Sequence, residues 1–376
     1  MVQCEERARQ ALRWLEGERR RRVVDDALVL VSHPMRLGLN SPHELRSWRD
    51  AAPDLVVGME GAPGAQAGAF GTFGHPRYQR GEYEHSPTPH SWPDYPADVY
   101  RTRGGFDWAT SVVGGLWDSL LAEGLPFWIT ANSDHHLEAH DSTTVGPYPP
   151  GHTFDTLGRH PLPVPTETPQ HGSDYWPGKF SRNHTFVTRR SPRGVMAGLR
   201  AGRSWVDHGH LVADVVVVRG RRTRRGKGPG RHRAETLGGR LVVRRGSTVE
   251  LSVTITPTDY RNAVEIRPRL AHVDVIRGRI TGPREDRDSW RAPDTRVVEQ
   301  TDVSGREGTY TLTYRFTADE SFYLRLRGSD GNRGCVGPLG ASIDPRGPIP
   351  HGSEPGAGNP WLDTWFYTNP VFVEVR

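Results

Sequence analysis

Residues 127–136 read FWITANSDHH, a short apolar run that leads into polar and metal-ligating residue types. The run FWITA predicts a buried strand, and the residues after it would lie at the carboxyl end of that strand. In an extended segment alternate side chains project the same way, so Asp134 and His136 can face one ion. A carboxylate beside an imidazole favours zinc, manganese or iron over calcium. The stretch therefore predicts a divalent-metal site at a strand end.

Two earlier stretches have the same design. Residues 25–34, DDALVLVSHP, contain the apolar run Ala27 to Val31, which is typical of a strand buried on both faces, and His33 follows it. Residues 54–60, DLVVGME, end in Glu60. One such residue after a strand is usually an ordinary loop or capping group, but three such strand ends in one region favour a metal site. The predicted ligands are His33, Glu60, Asp134 and His136.

Helical patterns alternate with these strands. Residues 114–124, GGLWDSLLAEG, carry apolar side chains on one helical face and end in Gly124, a typical helix stop. Residues 5–22 and 191–201 predict two further helices. Strands that end in polar residues and alternate with helices predict an α/β domain over residues 1–210, with its site at the carboxyl ends of the strands.

After about residue 211 the pattern changes to short alternating segments separated by turn residues. This pattern predicts an all-β sandwich domain over residues 211–376. Fourteen of the 17 histidines precede residue 211, so the chemistry is expected in the first domain. The predicted strands are Val215 to Val218, Leu241 to Val243, Val249 to Ile255, His272 to Ile276, Tyr310 to Phe316, Phe322 to Leu326 and Phe366 to Val375.

Composition and charge restrict the classes of function. Lys and Arg (49) nearly balance Asp and Glu (44), so the net charge of +5 does not indicate an anionic partner. The basic segment from Arg219 to Arg233 is expected to be a hairpin tip, and nucleic-acid binding is disfavoured because no aromatic residues alternate with its charges. Cys4 and Cys335 have no nearby Cys or His partner, which argues against a disulfide framework or a zinc knuckle.

The N-terminal residues and the glycine-containing motifs restrict localisation and reaction class. The first 22 residues contain acidic residues and no apolar run, so we expect neither a secretion signal nor a membrane span. The chain as written is therefore predicted to be cytoplasmic. The alternative is export directed by a signal on a preceding N-terminal part. The sequence contains neither GxxxxGK nor GxSxG, which argues against a nucleotide switch and a serine hydrolase.

Two further stretches, FSRNHTF (residues 180–186) and WVDHGH (residues 205–210), contain candidate site residues. An imidazole there could protonate a leaving alkoxide or hold a phosphate, and an arginine could make a bidentate contact with phosphate oxygens. The alternative for each is that it satisfies carbonyls and carboxylates of the protein itself. The catalytic candidates are His184 and His208, and the substrate-binding candidates are Arg182 and Arg203.

In this order the motifs resemble those of bacterial PHP-domain proteins (polymerase and histidinol phosphatase). Such proteins have a strand ending in NHP, a strand ending in an acidic residue, a helix beginning WDxLL and a strand ending in SDxH. The resemblance covers residues 25–210, including SPRGVMAGLRAGRSWVDHG at residues 191–209, and a β region ending in WFYTNP resembles the companion domain. The matching motifs here are SHP with His33, GMEGAPG with Glu60, GLWDSLLAEG at residues 115–124, and NSDHH with Asp134 and His136.

The resemblance implies a distorted (β/α)7 barrel with a site for up to three metals. Such domains begin with a strand bearing His-x-His, and no HxH precedes His33 here. The expected first domain is therefore an N-terminally incomplete barrel that holds fewer metals. Two further departures are Ala65, where relatives are expected to carry His, and His135 in the middle of the Asp-x-His motif.

The predicted function is metal-dependent hydrolysis of phosphate esters, as a phosphomonoesterase or a phosphodiesterase. Its substrate would be a phosphorylated small molecule or a phosphodiester, and its metal zinc, manganese or iron. The alternative is a catalytically silent relative that binds a partner or a glycan, with the Trp- and Tyr-rich loops as its recognition surface.

Overall fold

A computed structural model describes residues 2–63, 88–132, 178, 180–223, 234–262, 267–331 and 364–376. The predicted ligands Asp134 and His136 lie outside the described residues, as do Ala65 and His135. Of the helices that the structure describes, none combines the length and the apolar character needed to cross a bilayer.

Helices and parallel strands alternate in the first part of the chain. The three strands form a parallel sheet in the order β1-β2-β3, so their carboxyl ends lie along one edge. The elements are α1 (Val2–Arg20), β1 (Val29–Val31), α2 (Pro42–Ala51), β2 (Val56–Ala62), α3 (Trp108–Ser111), α4 (Leu116–Leu121) and β3 (Trp128–Ala131). The three predicted strands and the helices predicted over residues 5–22 and 114–124 are confirmed.

Helix α2 was not predicted, although its N-terminus carries a local signal. The Ser41 hydroxyl accepts a hydrogen bond from the Glu44 backbone N–H, and the Glu44 carboxylate accepts one from the Ser41 N–H at 2.9 Å. This capping box, with Pro42 at the first helical position, satisfies donors that the first turn would otherwise leave open.

Two features of the α/β part bear on the expectations from the sequence. Within the described ranges the parallel strands form an open sheet of three, and the barrel implied by the resemblance is not detected there. Strand β1 is half-buried at all three positions, whereas β2 and β3 are buried throughout. The expectation that β1 is buried on both faces is therefore wrong, because β1 is an edge strand and faces a cavity beneath α1.

The remaining strands form two antiparallel-rich sheets that share an apolar core. The larger sheet has the order β11-β10-β13-β14-β5-β4, with β15 joining β13 to β8, and the smaller sheet has the order β12-β9-β6-β7. Side chains such as Val253 of β9 and Val273 of β10 pack together between the sheets. The elements are β4 (Ser181–Thr185), α5 (Pro192–Arg200), β5 (Ser204–His208), β6 (Val212–Thr223), β7 (Ala234–Glu235), β8 (Arg240–Val243), β9 (Ser247–Pro257), β10 (His272–Arg279), β11 (Arg296–Asp302), β12 (Tyr310–Ala318), β13 (Phe322–Ser329), β14 (Trp365–Thr368) and β15 (Val371–Val375).

Each strand predicted after residue 211 lies in an observed strand, with one difference. The segment predicted as a single strand from Phe366 to Val375 divides into β14 and β15 at Asn369 and Pro370. Proline has no N–H to donate to a sheet ladder, which explains the interruption. The helix predicted over residues 191–201 is α5.

The larger sheet is the middle layer of the molecule, and its central strands β13, β14 and β5 are buried on both faces. Tyr323 and Tyr367 pack into the α/β core, while their neighbours Leu324 and Phe366 pack into the core between the two sheets. This alternation follows from the two-residue period of a strand. Strand β5, which precedes residue 210, pairs with β14 near the end of the chain, so one sheet joins both parts of the sequence.

Candidate functional site

One carboxylate connects the carboxyl ends of all three parallel strands. Glu60 of β2 is 4% exposed. Its Oε2 accepts hydrogen bonds from the His33 backbone N–H at 2.5 Å and from the Ser32 hydroxyl at 3.2 Å, both just after β1. Its Oε1 accepts one from Asn132 Nδ2, directly after β3, at 2.8 Å. The structure therefore brings together the backbone of His33, the side chain of Glu60 and Asn132, which begins the NSDHH motif.

The metal-ligand prediction includes two residues outside the described ranges and stays a prediction. Asp134 and His136 follow Asn132 by two and four residues and lie beyond them. Among the described residues no group of three or more His, Cys, Asp or Glu side chains is placed to hold a metal ion. The donor types of His33 and Glu60 suit zinc, manganese or iron, and hydrogen bonds that orient a carboxylate are typical of metal ligands.

His33 has an unusual backbone conformation for a residue with a side chain. Its φ angle is +27°, in a region that disfavours residues with a Cβ atom. Conformations of this kind cost about 1–3 kcal/mol and concentrate at binding and catalytic sites. The hydrogen bond from the His33 N–H to Glu60 helps to hold this conformation, so the carboxylate and the strained residue support each other.

Asn183 of β4 connects the end of β3 to the larger sheet through hydrogen bonds. This role was not predicted from the sequence. Its Oδ1 accepts a hydrogen bond from the Ala131 N–H at 2.7 Å, and its Nδ2 donates to the Ala131 carbonyl. The residue before Asn132 is therefore bonded through both of its backbone groups. The only sequence signal for this role was the position of this amide between Arg182 and His184 in the stretch FSRNHTF.

Arg182 and His184 lie on the opposite face of β4 from Asn183, because side chains alternate along a strand. Both contact Asp207 of β5. Arg182 binds it with two hydrogen bonds, Nε to Oδ1 at 3.0 Å and Nη2 to Oδ2 at 2.8 Å, and His184 Nε2 lies 3.3 Å from Oδ1. The His184 ring stacks on Trp205, with centroids 3.6 Å apart. The structure thus does not bring these two predicted site residues to the strand-end carboxylate.

His208 is completely buried, and both of its ring nitrogens form contacts inside the protein. Nε2 lies 3.0 Å from the Gly105 carbonyl, and Nδ1 lies 2.9 Å from the Ser181 hydroxyl. Because a carbonyl can only accept, Nε2 is assigned the proton and Nδ1 accepts from Ser181. This arrangement favours a structural role for His208 over the predicted catalytic one.

Arg203 lies in the turn between α5 and β5. Its backbone N–H donates to the Gly198 carbonyl, and its own carbonyl accepts from the Phe186 N–H. These bonds explain its position in the fold, and its contact with phosphate stays a prediction.

The electrostatics of Asp207 differ from those of an ordinary carboxyl group. Complete burial would by itself raise the pKa of Asp207, but hydrogen bonds from His184 and Arg182, together with the Arg182 charge, outweigh burial and lower the pKa to about 2. The Val212 N–H also donates to Oδ2 at 3.1 Å. Asp207 therefore stays ionised in the folded protein at any pH above its lowered pKa.

Acid is expected to destabilise the protein through Asp207. Because the folded pKa is about 2 and the ordinary value is 3.8, the stabilisation is complete above pH 4 and decreases as the pH falls towards 2. The shift corresponds to about 2 kcal/mol. Urea unfolding of the wild type and of Asp207→Asn between pH 6 and pH 2 should show this additional loss in the wild type only. Parallel curves for the two proteins would contradict the assignment.

No protein-family model matches this sequence, and no curated protein matches it at a significant level. The functional argument therefore rests on the residues and on their geometry.

Proposed function

We propose that this protein is a metal-dependent hydrolase of phosphate esters of the PHP type, built on a partial or distorted (β/α)7 barrel that is followed by a β-sandwich. The observation that carries the proposal is the Glu60 carboxylate, which receives hydrogen bonds from residues that follow both neighbouring strands. This contact supports a common location for the three ligand-bearing strand ends predicted from the sequence.

In the proposed site His33, Glu60, Asp134 and His136 hold zinc, manganese or iron. The bound metal would supply a water molecule of lowered pKa and a Lewis acid for the phosphoryl oxygen. Ser32 and Asn132 orient the Glu60 carboxylate through their hydrogen bonds. The substrate is a phosphorylated small molecule or a phosphodiester.

Arg182 and His184 have a different place in this proposal from the one expected from sequence. Their side chains are engaged by the buried Asp207 on the far face of the larger sheet. We therefore assign them to the stability of β4 and β5, which hold Asn183 against the end of β3.

Metal content tests the proposal directly. Plasma mass spectrometry on protein purified without added metal is expected to find about one equivalent or more of zinc, manganese or iron. Asp134→Ala should lose this metal, whereas Asp319→Ala, which changes an exposed aspartate after β12, should retain it. Hydrolysis of p-nitrophenyl phosphate and of bis(p-nitrophenyl) phosphate would then separate a monoesterase from a diesterase.

A protein that contains no metal and takes up none on titration would contradict the proposal. The catalytically silent relative, which binds a partner or a glycan, would then be the better description.

A further inference from the structure

A cavity of about 800 Å³ lies between α1 and the parallel sheet. This volume is within the range of small-molecule sites. Its walls are mainly apolar, and they come from one face of α1, from β1 and β2, and from the segment after β1. The lining residues used below are Ala8, Leu12, Leu15, Val29, Val31 and Val56 on the apolar walls, with His33, Arg36 and Trp48.

The cavity lies over the face of the sheet and not beside its edge. Val29 and Val31 are two residues apart on β1 and share one face, and Val56 of the neighbouring strand β2 continues the same wall. A polypeptide strand added to β1 would bind along the backbone edge and would leave this space between side chains unfilled. The position therefore favours a small molecule that enters between α1 and the sheet.

Polar side-chain contacts at both ends of α1 fix the direction in which the helix crosses the cavity. Arg19 near its C-terminus lies 3.6 Å from Asp54, which precedes β2. Glu5 near its N-terminus lies 3.6 Å from His43, which begins α2 after the strand end. Helix α1 thus runs antiparallel to β1, with its N-terminal part at the edge of the sheet where Glu60 lies.

Apolar and polar groups are separated along the cavity. Ala8 and Leu15 are two helical turns apart, so the apolar wall extends over about 10 Å. His33 and Arg36 follow the carboxyl end of β1 and provide an imidazole and a cation at one end only. A long apolar wall with a basic end matches a molecule that has a hydrocarbon chain and an anionic head.

One lining residue connects the cavity to the strand-end site, and another presents an unsatisfied donor at the cavity wall. His33 lines the cavity while its backbone N–H binds the Glu60 carboxylate. Trp48 forms part of the wall, and its buried indole N–H has no acceptor within the described part of the chain. An uncompensated buried donor is costly, and it is satisfied when an oxygen atom is bound beside it.

We propose that this cavity binds the hydrocarbon chain of an alkyl phosphate ester, with the phosphate at the end formed by His33 and Arg36. As a substrate subsite the cavity rests on the function proposed above. The substrate class is then an amphiphile with one alkyl chain.

Binding of non-hydrolysable alkylphosphonates to the full chain tests the cavity without relying on catalysis. Calorimetry should show that octylphosphonate binds at least tenfold more tightly than butylphosphonate. Each methylene group that enters an apolar site increases the affinity about fourfold, which corresponds to about 0.8 kcal/mol. Ala8→Phe places a ring inside the cavity against the apolar wall and should weaken this preference, whereas Gln10→Phe adds the same ring on the exposed side of α1 and should preserve it.

Equal affinities for the two phosphonates in the wild type would overturn the proposal, whether or not Ala8→Phe folds. A chain-length preference that is undiminished in Ala8→Phe would place the alkyl site elsewhere and would also overturn the proposal. The proposed function can fail independently of the cavity. If affinity depends on alkyl-chain length but the protein hydrolyses no alkyl phosphate, the cavity is still an amphiphile site and the hydrolase function is excluded.

Discussion

Replacing Asp118 by alanine is expected to lower the free energy of unfolding by about 3–5 kcal/mol. Asp118 lies on α4 and is completely buried, as is its partner Arg325 on β13. Its two oxygens accept hydrogen bonds from Arg325 Nε at 2.8 Å and Nη2 at 2.7 Å, from the Tyr323 hydroxyl at 2.8 Å and from the Gly114 N–H at 2.7 Å. Alanine would leave a guanidinium buried without its counter-charge between the α/β layer and the middle sheet.

Chemical denaturation of Asp118→Ala beside two further variants measures this effect. The double variant Asp118→Leu with Arg325→Met should recover part of the loss, because no charge is then left buried without a partner, while the Gly114 N–H and the Tyr323 hydroxyl still lose an acceptor. Arg315→Ala removes one partner of the pair with Glu250, where the arginine is 70% exposed, and should cost less than about 1 kcal/mol. A loss in Asp118→Ala no larger than that in Arg315→Ala would mean that the buried pair does not hold the two layers together.

Glu60→Gln is expected to reduce phosphate-ester hydrolysis by about 100-fold or more and to lower the metal content. Both oxygens of Glu60 accept hydrogen bonds, from His33 and Ser32 on one side and from Asn132 on the other. An amide has only one acceptor oxygen, so its NH₂ group must face at least one of these donors. The substitution therefore removes the ligand charge and separates the strand ends that the carboxylate joins.

Metal analysis and kinetic assays on Glu60→Gln should be made beside Glu299→Gln. Glu299 lies on β11 with an exposed side chain, and the same chemical change there should leave both quantities unaltered. Activity and metal content that survive in Glu60→Gln would remove Glu60 from the proposed ligand set. A fall in activity with unchanged metal would instead assign Glu60 to positioning of the strand ends.

A second group of buried ion pairs connects two helical segments within the α/β layer. Glu123, after α4, accepts hydrogen bonds from Arg46 and Arg49 on the inner face of α2, and all three side chains are nearly or fully buried. Burial lowers the pKa of Arg46, and Glu123 counteracts this effect. The two buried carboxylates near α4 therefore connect this short helix to α2 on one side and to the middle sheet on the other.

Local sequence patterns were sufficient to predict most elements of this fold. Apolar runs that end in His33 and Glu60 predicted parallel strands with polar residues at their carboxyl ends, and the structure places both residues at one edge of the sheet. The alternating segments after residue 211 predicted strands that are present in the structure. These predictions succeed because strand and helix periodicity depend on residues that are near one another in sequence.

The tertiary structure decided which predicted site residues meet and which do not. Arg182 and His184 stood beside Asn183 in the sequence, but pairing of β4 with β5 turns the first two towards Asp207 and the third towards Ala131. Burial of His208 depends on packing against Gly105, more than 100 residues earlier in the chain.

The partner of Asp118 and the cavity beneath α1 likewise depend on contacts between distant segments. Arg325 meets Asp118 across 207 residues of sequence, and the cavity lies between α1 and a half-buried edge strand. The sequence by itself determined most of the strands and helices and the ligand-type residues at the strand ends. Only the tertiary structure determined the faces, partners and burial of the remaining polar residues, because each depends on packing between segments whose spacing no local pattern encodes.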